Sequence, residues 1–418
     1  MHLSKTIIAL GCTVGMLAVN IAYGQTSGGS SYSIFNIGDL RQTVTASGAA
    51  RGGIEAAVPS PLTINGTNPA LWGDLRNVSV QAGMSFTQYQ VSDAEGSLNQ
   101  NRTSLQNFSA GFPVSEKFRS TIAIGLRPYS SVNYRTQLAE NVPNANGDST
   151  EARITYTGVG GISEFVFGGS FAPIPEVAVG VGASRFFGAI NNGSGVTFPD
   201  GALNPAVYQR NDFYGGWGVR AGLSLKPVDQ LTIGAVFETG STLFRDRTEI
   251  AAYIDGFDEV IDTTAKRTEN FTIPPRISVG ASFLTGRALI STQATMQSWS
   301  SDVYPNARNS MRVALGFDRI GAEAPGAAAF DKWTLRAGAY YDQTYYNING
   351  NGINEMAVTI GAAIPITIVS RLNVGTTFDI ALEVGQRGTT DNGLTSELFG
   401  RFNVEFTLGE LWFVRSRR

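Results

Sequence analysis

Val78-Ser79-Val80-Gln81-Ala82-Gly83-Met84-Ser85-Phe86-Thr87 alternates apolar with small or polar side chains along its whole length. Successive side chains of a β-strand point to opposite faces, so this stretch offers one face to hydrocarbon and the other to water or a polar filling. Leu231, Ile233, Ala235 and Phe237 repeat the pattern, as do Leu372, Val374, Thr376, Phe378, Ile380 and Leu382. The alternation restarts about fourteen times between Asp74 and Phe413 and never lengthens into an apolar block. A soluble sandwich alternates as well, so strand length and connections must decide between the two.

Several strands exceed the roughly five or six residues usual in globular sheets, which suits a tilted crossing of a bilayer. With the first strand taken as rising, the upper links run from Ser92 to Asn101, Gln137 to Thr150, Ile190 to Tyr208, Asp246 to Lys266, Ser301 to Ala307, Tyr345 to Gly352 and Arg387 to Leu394. The lower links are mostly tight: Pro113 to Lys117, Pro173 to Glu176, Lys226 to Asp229, Thr285 to Arg287 and Pro365 to Ser370, with Arg319 to Asp331 as the long exception. Long links on one side and short turns on the other predict an all-β fold, a transmembrane antiparallel β-barrel of about 14 strands. Its expected place is the outer membrane of a Gram-negative bacterium, reached through the barrel-assembly machinery, with outer-membrane lipid around it and both chain ends in the periplasm.

Composition fits that reading. Hydrophobic residues make up 42% of the chain and mean hydropathy is near zero, and beyond the N-terminal leader no run of about 18 apolar residues could form a helical span. The 49 glycines suit a curved sheet with close strand contacts. A formal charge of −3, with no basic block except Arg415, Arg417 and Arg418, argues against a nucleic-acid partner. Lys5, the apolar stretch from Thr6 to Ala22 and the small residues Ala22 and Gly24 read as an export signal cleaved after Gly24. A lipoprotein signal ending in Ala9-Leu10-Gly11-Cys12 is the weaker alternative, since it leaves an apolar region of only about six residues. The expected organisation is signal peptide 1–24, N-terminal periplasmic segment 25–73, barrel 74–413 and basic tail 414–418.

Cys12 and His2 are the only cysteine and histidine, so the exported chain would hold neither. That excludes disulfides, thiol chemistry and Cys or His metal sites. Enzymes built on outer-membrane barrels generally move a proton through histidine, so a non-enzyme without cofactor or metal is expected. Asp255, Asp258, Glu259 and Asp262 lack the alternating spacing of a calcium loop and read as a solvated link. Gly158-Val159-Gly160-Gly161 and Gly180-Val181-Gly182 lie inside strands, which is the wrong setting for phosphate binding.

Ser31 to Gly73 is rich in Gly, Ala and Ser and does not alternate. It reads either as a disordered periplasmic tail or as a plug inside the barrel. Ser47-Gly48-Ala49-Ala50-Arg51-Gly52-Gly53, Asn65, Asn68-Pro69-Ala70 and Leu75-Arg76 ahead of the first strand resemble the N-terminal hatch of the FadL-like long-chain fatty-acid transporters. Tyr340-Tyr341, Thr344-Tyr345-Tyr346, Ile348-Asn349-Gly350, Ile353-Asn354-Glu355, Gly385 to Thr390 and Leu411-Trp412-Phe413-Val414 resemble a branch of that family whose members are mostly uncharacterised. The tail departs from the family by running on to Arg418. The resemblance implies passive uptake of a hydrophobic small molecule through a hatch-filled barrel with a sideways opening, and hatch roles for Gly48, Arg51, Asn68, Pro69 and Ala70.

Pro128, within Arg127-Pro128-Tyr129, is the candidate for that opening: proline has no N–H and interrupts a ladder. The competing reading puts Pro128 at the rim, where pairing has already stopped. Alternation places Arg127, Arg220, Glu238, Arg276, Arg336, Asp379, Glu383, Arg401 and Glu405 in the lumen. There they either neutralise one another or clamp the hatch or a ligand carboxylate through bidentate arginine. Two other functions fit the same fold, a barrel subunit of a secretion or surface-attachment assembly and a general porin. Nothing in the sequence sets the oligomeric state or the ligand.

Overall fold

Alternation with grease outside and polar groups inside has a single closed solution, a ring of antiparallel strands in which the last pairs with the first. The computed structural model describes residues 26–143, 149–199, 203–255, 258–267, 270–299, 304–324, 326–366 and 375–410. Fourteen strands form the ring. They are β1 (Val78–Ser92), β2 (Ser97–Ser115), β3 (Ser120–Pro128 and Ser130–Pro143), β4 (Ser149–Ile174), β5 (Val177–Thr197) and β6 (Ala206–Val228). Next come β7 (Leu231–Glu238 and Ser241–Asp255), β8 (Asp258–Arg267, Phe271–Ile273 and Arg276–Thr285), β9 (Ala288–Gln297) and β10 (Ser310–Arg319). The last four are β11 (Thr334–Ile348), β12 (Asn351–Ile366), β13 (Thr376–Gly388) and β14 (Ser396–Glu410). Closure runs from Ser396 opposite Ser92 to Glu410 opposite Val78.

The faces divide as the alternation predicts. Met84 and Phe86 are exposed outward while Ser85 and Thr87 are buried inward. Phe165 and Phe167, Val179 and Val181, Leu315 and Phe317, and Val358 and Ile360 continue the outer band around the ring. An apolar belt of this extent is a liability in water and suits a hydrocarbon layer.

The upper links differ from expectation. Most of Gln137 to Thr150, Ile190 to Tyr208 and Asp246 to Lys266 is strand, and Ser92 to Asn101 shrinks to a turn of residues 93–96. Above the bilayer neither face meets grease, so alternation fades, but the ladder continues: Gln137 pairs with Thr155, Gly195 with Val207, and Ala252 with both Val207 and Ile261. At the lower end Ile174 and Val177 flank a tight turn, and Arg319 to Asp331 remains the long exception, with a 3-10 turn at Ala329–Lys332. The expected leader, part of the Pro365 to Ser370 turn and the tail from Leu411 onward lie outside the described residues.

Residues 28–74 fill the lumen and a seam in its wall. Ala46–Ala49 form a short helix capped by the Thr45 hydroxyl, which accepts from Gly48 N at 2.9 Å. Gly52 and Gly53 end it at φ +75° and +88°, values that would strain any residue with a side chain. Asn68 caps the next turn by accepting from Ala70 N at 3.0 Å, and Pro69 occupies its first position, where an N–H is not needed. The wall meets this backbone with glycines. A side chain at Gly180 would run into Pro69, at Gly234 into Ala56, and at Gly338 into Arg51 and Gly52. Gly338→Val should therefore push the hatch off the wall while leaving the outer face unchanged. Raised ion conductance in planar bilayers from a protein that still shows a heat-dependent gel shift is the expected result.

Candidate functional site

The ladder between β2 and β3 stops at Phe108 opposite Leu126. Above that point β3 continues for the length of Ser130–Pro143 with β4 as its only barrel neighbour among the described residues, so Pro128 stands in mid-strand and not at the rim. Tyr129 N donates to Ile162 O of β4 at 2.8 Å. One residue back, Pro128 turns its nitrogen toward β2, on the side where the ladder has ended. The kink is shared by β4, where Gly160 and Gly161 have φ of +126° and +147° and a side chain at Gly161 would collide with Ser130 O. These are glycines of the Gly158 to Gly161 run, and bending the wall accounts for them.

The seam is filled by the chain's own N-terminal segment. Thr26 and Ser27 pair in parallel with Gln100 and Asn101 of β2, and Gly28 bridges Asn101. Gly29 N donates to Asn133 O of β3 at 2.9 Å, Asp39 and Leu40 pair with Ser131 and Ser130, and Arg41 N donates to Tyr129 O at 2.9 Å. Inside the barrel an aromatic cluster joins Tyr32 of the hatch to Tyr129, Phe186, Trp299, Tyr345 and Tyr346. Tyr345 donates to Gly38 O at 2.6 Å and Tyr346 to Asp39 Oδ1 at 2.9 Å, so the Tyr-Tyr pair holds the same segment from inside.

The expected lumen charges all face inward, and all but Glu405 are joined in three networks. Arg127 and Arg220 converge on Glu164 at 2.7 and 2.9 Å, and both also donate to Gly66 O of the hatch, at 3.1 and 3.0 Å. Arg276 binds Glu238 at 2.7 Å beside them. In the second network Arg51 makes a two-point contact with Asp318, at 3.0 and 2.9 Å, and Asp318 shares Arg336 with Asp379. The third joins Arg387 to Asp39 at 2.8 Å and to Glu355 at 2.5 Å, with Arg401 on Glu383 alongside. Glu405 accepts from Gln81 Nε2 at 3.0 Å and from Ala46 N at 3.3 Å. Gly48 packs on the Glu55 side chain, which accepts from Thr45 N at 3.0 Å and Thr67 Oγ1 at 2.7 Å. Asn68 Nδ2 reaches Leu223 O of the wall at 3.1 Å, and Ala70 packs with Ala172 and Ala178. Tyr129 turns inward like Arg127 and accepts from Gln297 Nε2 at 3.0 Å.

Sequence reasoning missed Glu164, Asp318, Glu355, Arg387 and Glu55. Glu164 alternates with Phe165 and Phe167, so the face rule that found Arg220 would have found it too. No group of three or more candidate metal ligands occurs among the described residues. Asp262 is exposed, and the side chains of Asp255, Asp258 and Glu259 lie outside the description.

Behind the seam, a void of about 70 Å³ is lined by Arg41, Tyr89, Arg312, Asp342, Glu355 and Arg401, among others. Arg41 is the one hatch arginine here that lacks a carboxylate within salt-bridge distance among the described residues. Its Nη2 donates to Ser104 Oγ at 2.9 Å and its buried Nε has no partner. A guanidinium stays charged in a protein, so Arg41 is a buried cation held at a cost.

The family model described as BamG matches residues 3–418. No curated protein matches the sequence. Among solved structures, the chain is similar to the CymD monoaromatic hydrocarbon channel, at 14% identity and TM-score 0.62, covering 90% of this chain and 99% of that one. A Pseudomonas aeruginosa FadL homologue matches at 13% identity and TM-score 0.64, covering 88% and 99%. The P. putida toluene transporter TodX matches at 16% and 0.61, covering 90% and 100%. At these identities the likeness is one of fold: a FadL-type barrel.

Arg51 and Arg41 should respond oppositely to truncation. Arg51→Ala strips Asp318 of its two-point partner and should lower stability by about 2–4 kcal/mol. Arg41→Met removes a buried cation without a counter-charge and should leave stability unchanged or raise it. Urea midpoints of the two variants in detergent micelles, followed by the gel shift of the folded barrel, measure both.

Proposed function

We propose that this chain, which belongs to the BamG family, is an outer-membrane barrel that serves the barrel-assembly machinery as a hatch-filled partner subunit. The observation that carries this reading is the filling of the lumen. A dry apolar cavity that takes up benzene measures roughly 150 Å³, whereas the void behind the seam is about 70 Å³ and lined by arginines and carboxylates, and a larger one, about 770 Å³, lies at the lower end of the barrel beside Asp74, Arg76, Glu116 and Arg119. An apolar solute entering there would have to displace paired charges, each costly to leave alone. The hatch is bonded to the wall through Arg51, Gly66, Asp39 and Ala46, which suits a barrel that keeps its shape while partners work against it. The family's name points to the barrel-assembly machinery. The ladders extending above the bilayer, with Leu138, Tyr208, Tyr253 and Ile261 exposed on them, give partners a surface on the outer side.

A second reading is favoured by the interrupted β2–β3 ladder and by the neighbours whose titles name hydrocarbon channels. In it, hydrophobic compounds, long-chain fatty acids among them, move between the lumen and the bilayer through the wall at Pro128. Arg127 and Tyr129 line the inner side, and the hatch shifts to make room.

One experiment separates the two. Affinity purification of the tagged chain from native outer membranes in mild detergent should recover barrel-assembly subunits at fixed stoichiometry, and depletion of the chain should lower the folded levels of other barrels. A chain that purifies alone, whose loss leaves those levels intact but slows accumulation of labelled toluene or a labelled fatty acid, would overturn the subunit reading in favour of uptake.

A further inference from the structure

The seam between β2 and β3 has the width of one strand. A side chain at Gly29 would lie 2.8 Å from Asn133 O on β3 and 3.4 Å from Arg102 Cδ on β2, so the segment touches both walls there and only glycine passes. At Gly28 a side chain would lie 2.8 Å from Gln100 Oε1. Lower down Gly38, at φ +81°, packs its backbone against Ser131 O. The segment descends the seam in register with both edges, parallel to β2 at Thr26–Ser27 and antiparallel to β3 at Asp39–Leu40. It turns between them through Ser31–Ile34, where Ser33 Oγ accepts from Asn133 N at 3.1 Å. At bilayer depth an unpaired strand edge cannot be left to lipid, and this segment supplies the missing partners.

The hold is strand-like and shallow. Two residues pair at the top, two lower down, and single hydrogen bonds from Gly29 and Arg41 join them. Its anchors are Tyr32 and Ile37 in the aromatic cluster, Ser30 and Ser31 on Glu397, and, at the lower end, Asp39 on Arg387 and Tyr346, with Tyr345 on Gly38 O. Wall strands meet through ladders of ten or more residue pairs in most places, as between β9 and β10. Addition of an extended peptide to exposed sheet edges relies on main-chain hydrogen bonds and tolerates many sequences.

From this geometry we infer that the β2–β3 seam is a strand-binding site, and that residues Thr26–Leu40 are its resident, exchangeable ligand. The occupant chemistry is an extended polypeptide with a small residue at the narrow point. The inference rests on the seam's geometry alone and stands whichever function the barrel serves.

The test uses the full chain in detergent micelles. Gly29→Val should eject the segment, and amide hydrogen exchange in residues 97–104 and 130–135 should accelerate by at least about tenfold, with β9 and β10 unchanged. A synthetic peptide of residues 26–40 should then restore protection at both edges, and the same peptide carrying the valine should not. Leu40→Cys with Ser130→Cys, oxidised, ties the native segment into the seam. In that variant a labelled wild-type peptide should fail to bind until the disulfide is reduced, a readout that remains if Gly29→Val does not fold. Protected edges in folded Gly29→Val, or a peptide that neither restores protection nor binds the reduced double variant, would overturn the inference.

Discussion

A backbone N–H or C=O inside hydrocarbon has no water to turn to, and this constraint shapes every part of the molecule. It makes the strands pair around a complete ring, with β14 returning to β1 along its full length. Where proline and paired glycines bend β3 and β4 away from β2, the same constraint brings the N-terminal segment into the wall. The hatch is then more than a stopper. Its first part belongs to the sheet, and its later part, from Arg41 onward, is a polar core wedged against inward glycines and held by buried charge.

Charge in that core is arranged so that hardly any ion stands alone. Glu164 takes two arginines, Asp318 takes two, and Arg387 spans hatch and wall by meeting Asp39 and Glu355. Buried pairs of this kind add little net stability compared with an apolar filling, but breaking one is expensive, so they specify a single arrangement of hatch and wall. Arg41 is the exception that lies next to the seam.

The transmembrane part of the fold was legible because lipid imposes a two-residue period: Met84 against Ser85 and Phe317 against Asp318 can be read by eye. Above the bilayer the period lapses, so alternation predicts a link between Asp246 and Lys266 where the ladder is unbroken from Asp246 to Asp255. Pro128 was legible as a break, since a missing N–H is a property of one residue. Its occupant was not. Thr26–Leu40 is short and polar, and its partners at Gln100 and Ser131 lie far along the chain, so no local pattern marks it as strand. Asn68-Pro69-Ala70 could be recognised, but its physical role as cap, first-turn proline and packing alanine needs the wall at Leu223 to be seen.

The contacts of the last strand tie closure of the ring to the hatch. Glu397 on β14 binds Ser30 and Ser31, and Glu405 on the same strand accepts from Ala46 N. Residues near the start of the described chain thus meet the last strand. The two ends of the ring's closure, β14 and β1, therefore meet over the hatch as well as over each other. Closing the wall and burying the hatch's polar groups are thereby coupled, since a barrel without its hatch leaves Glu397 with Arg387 alone and Glu405 with Gln81 alone.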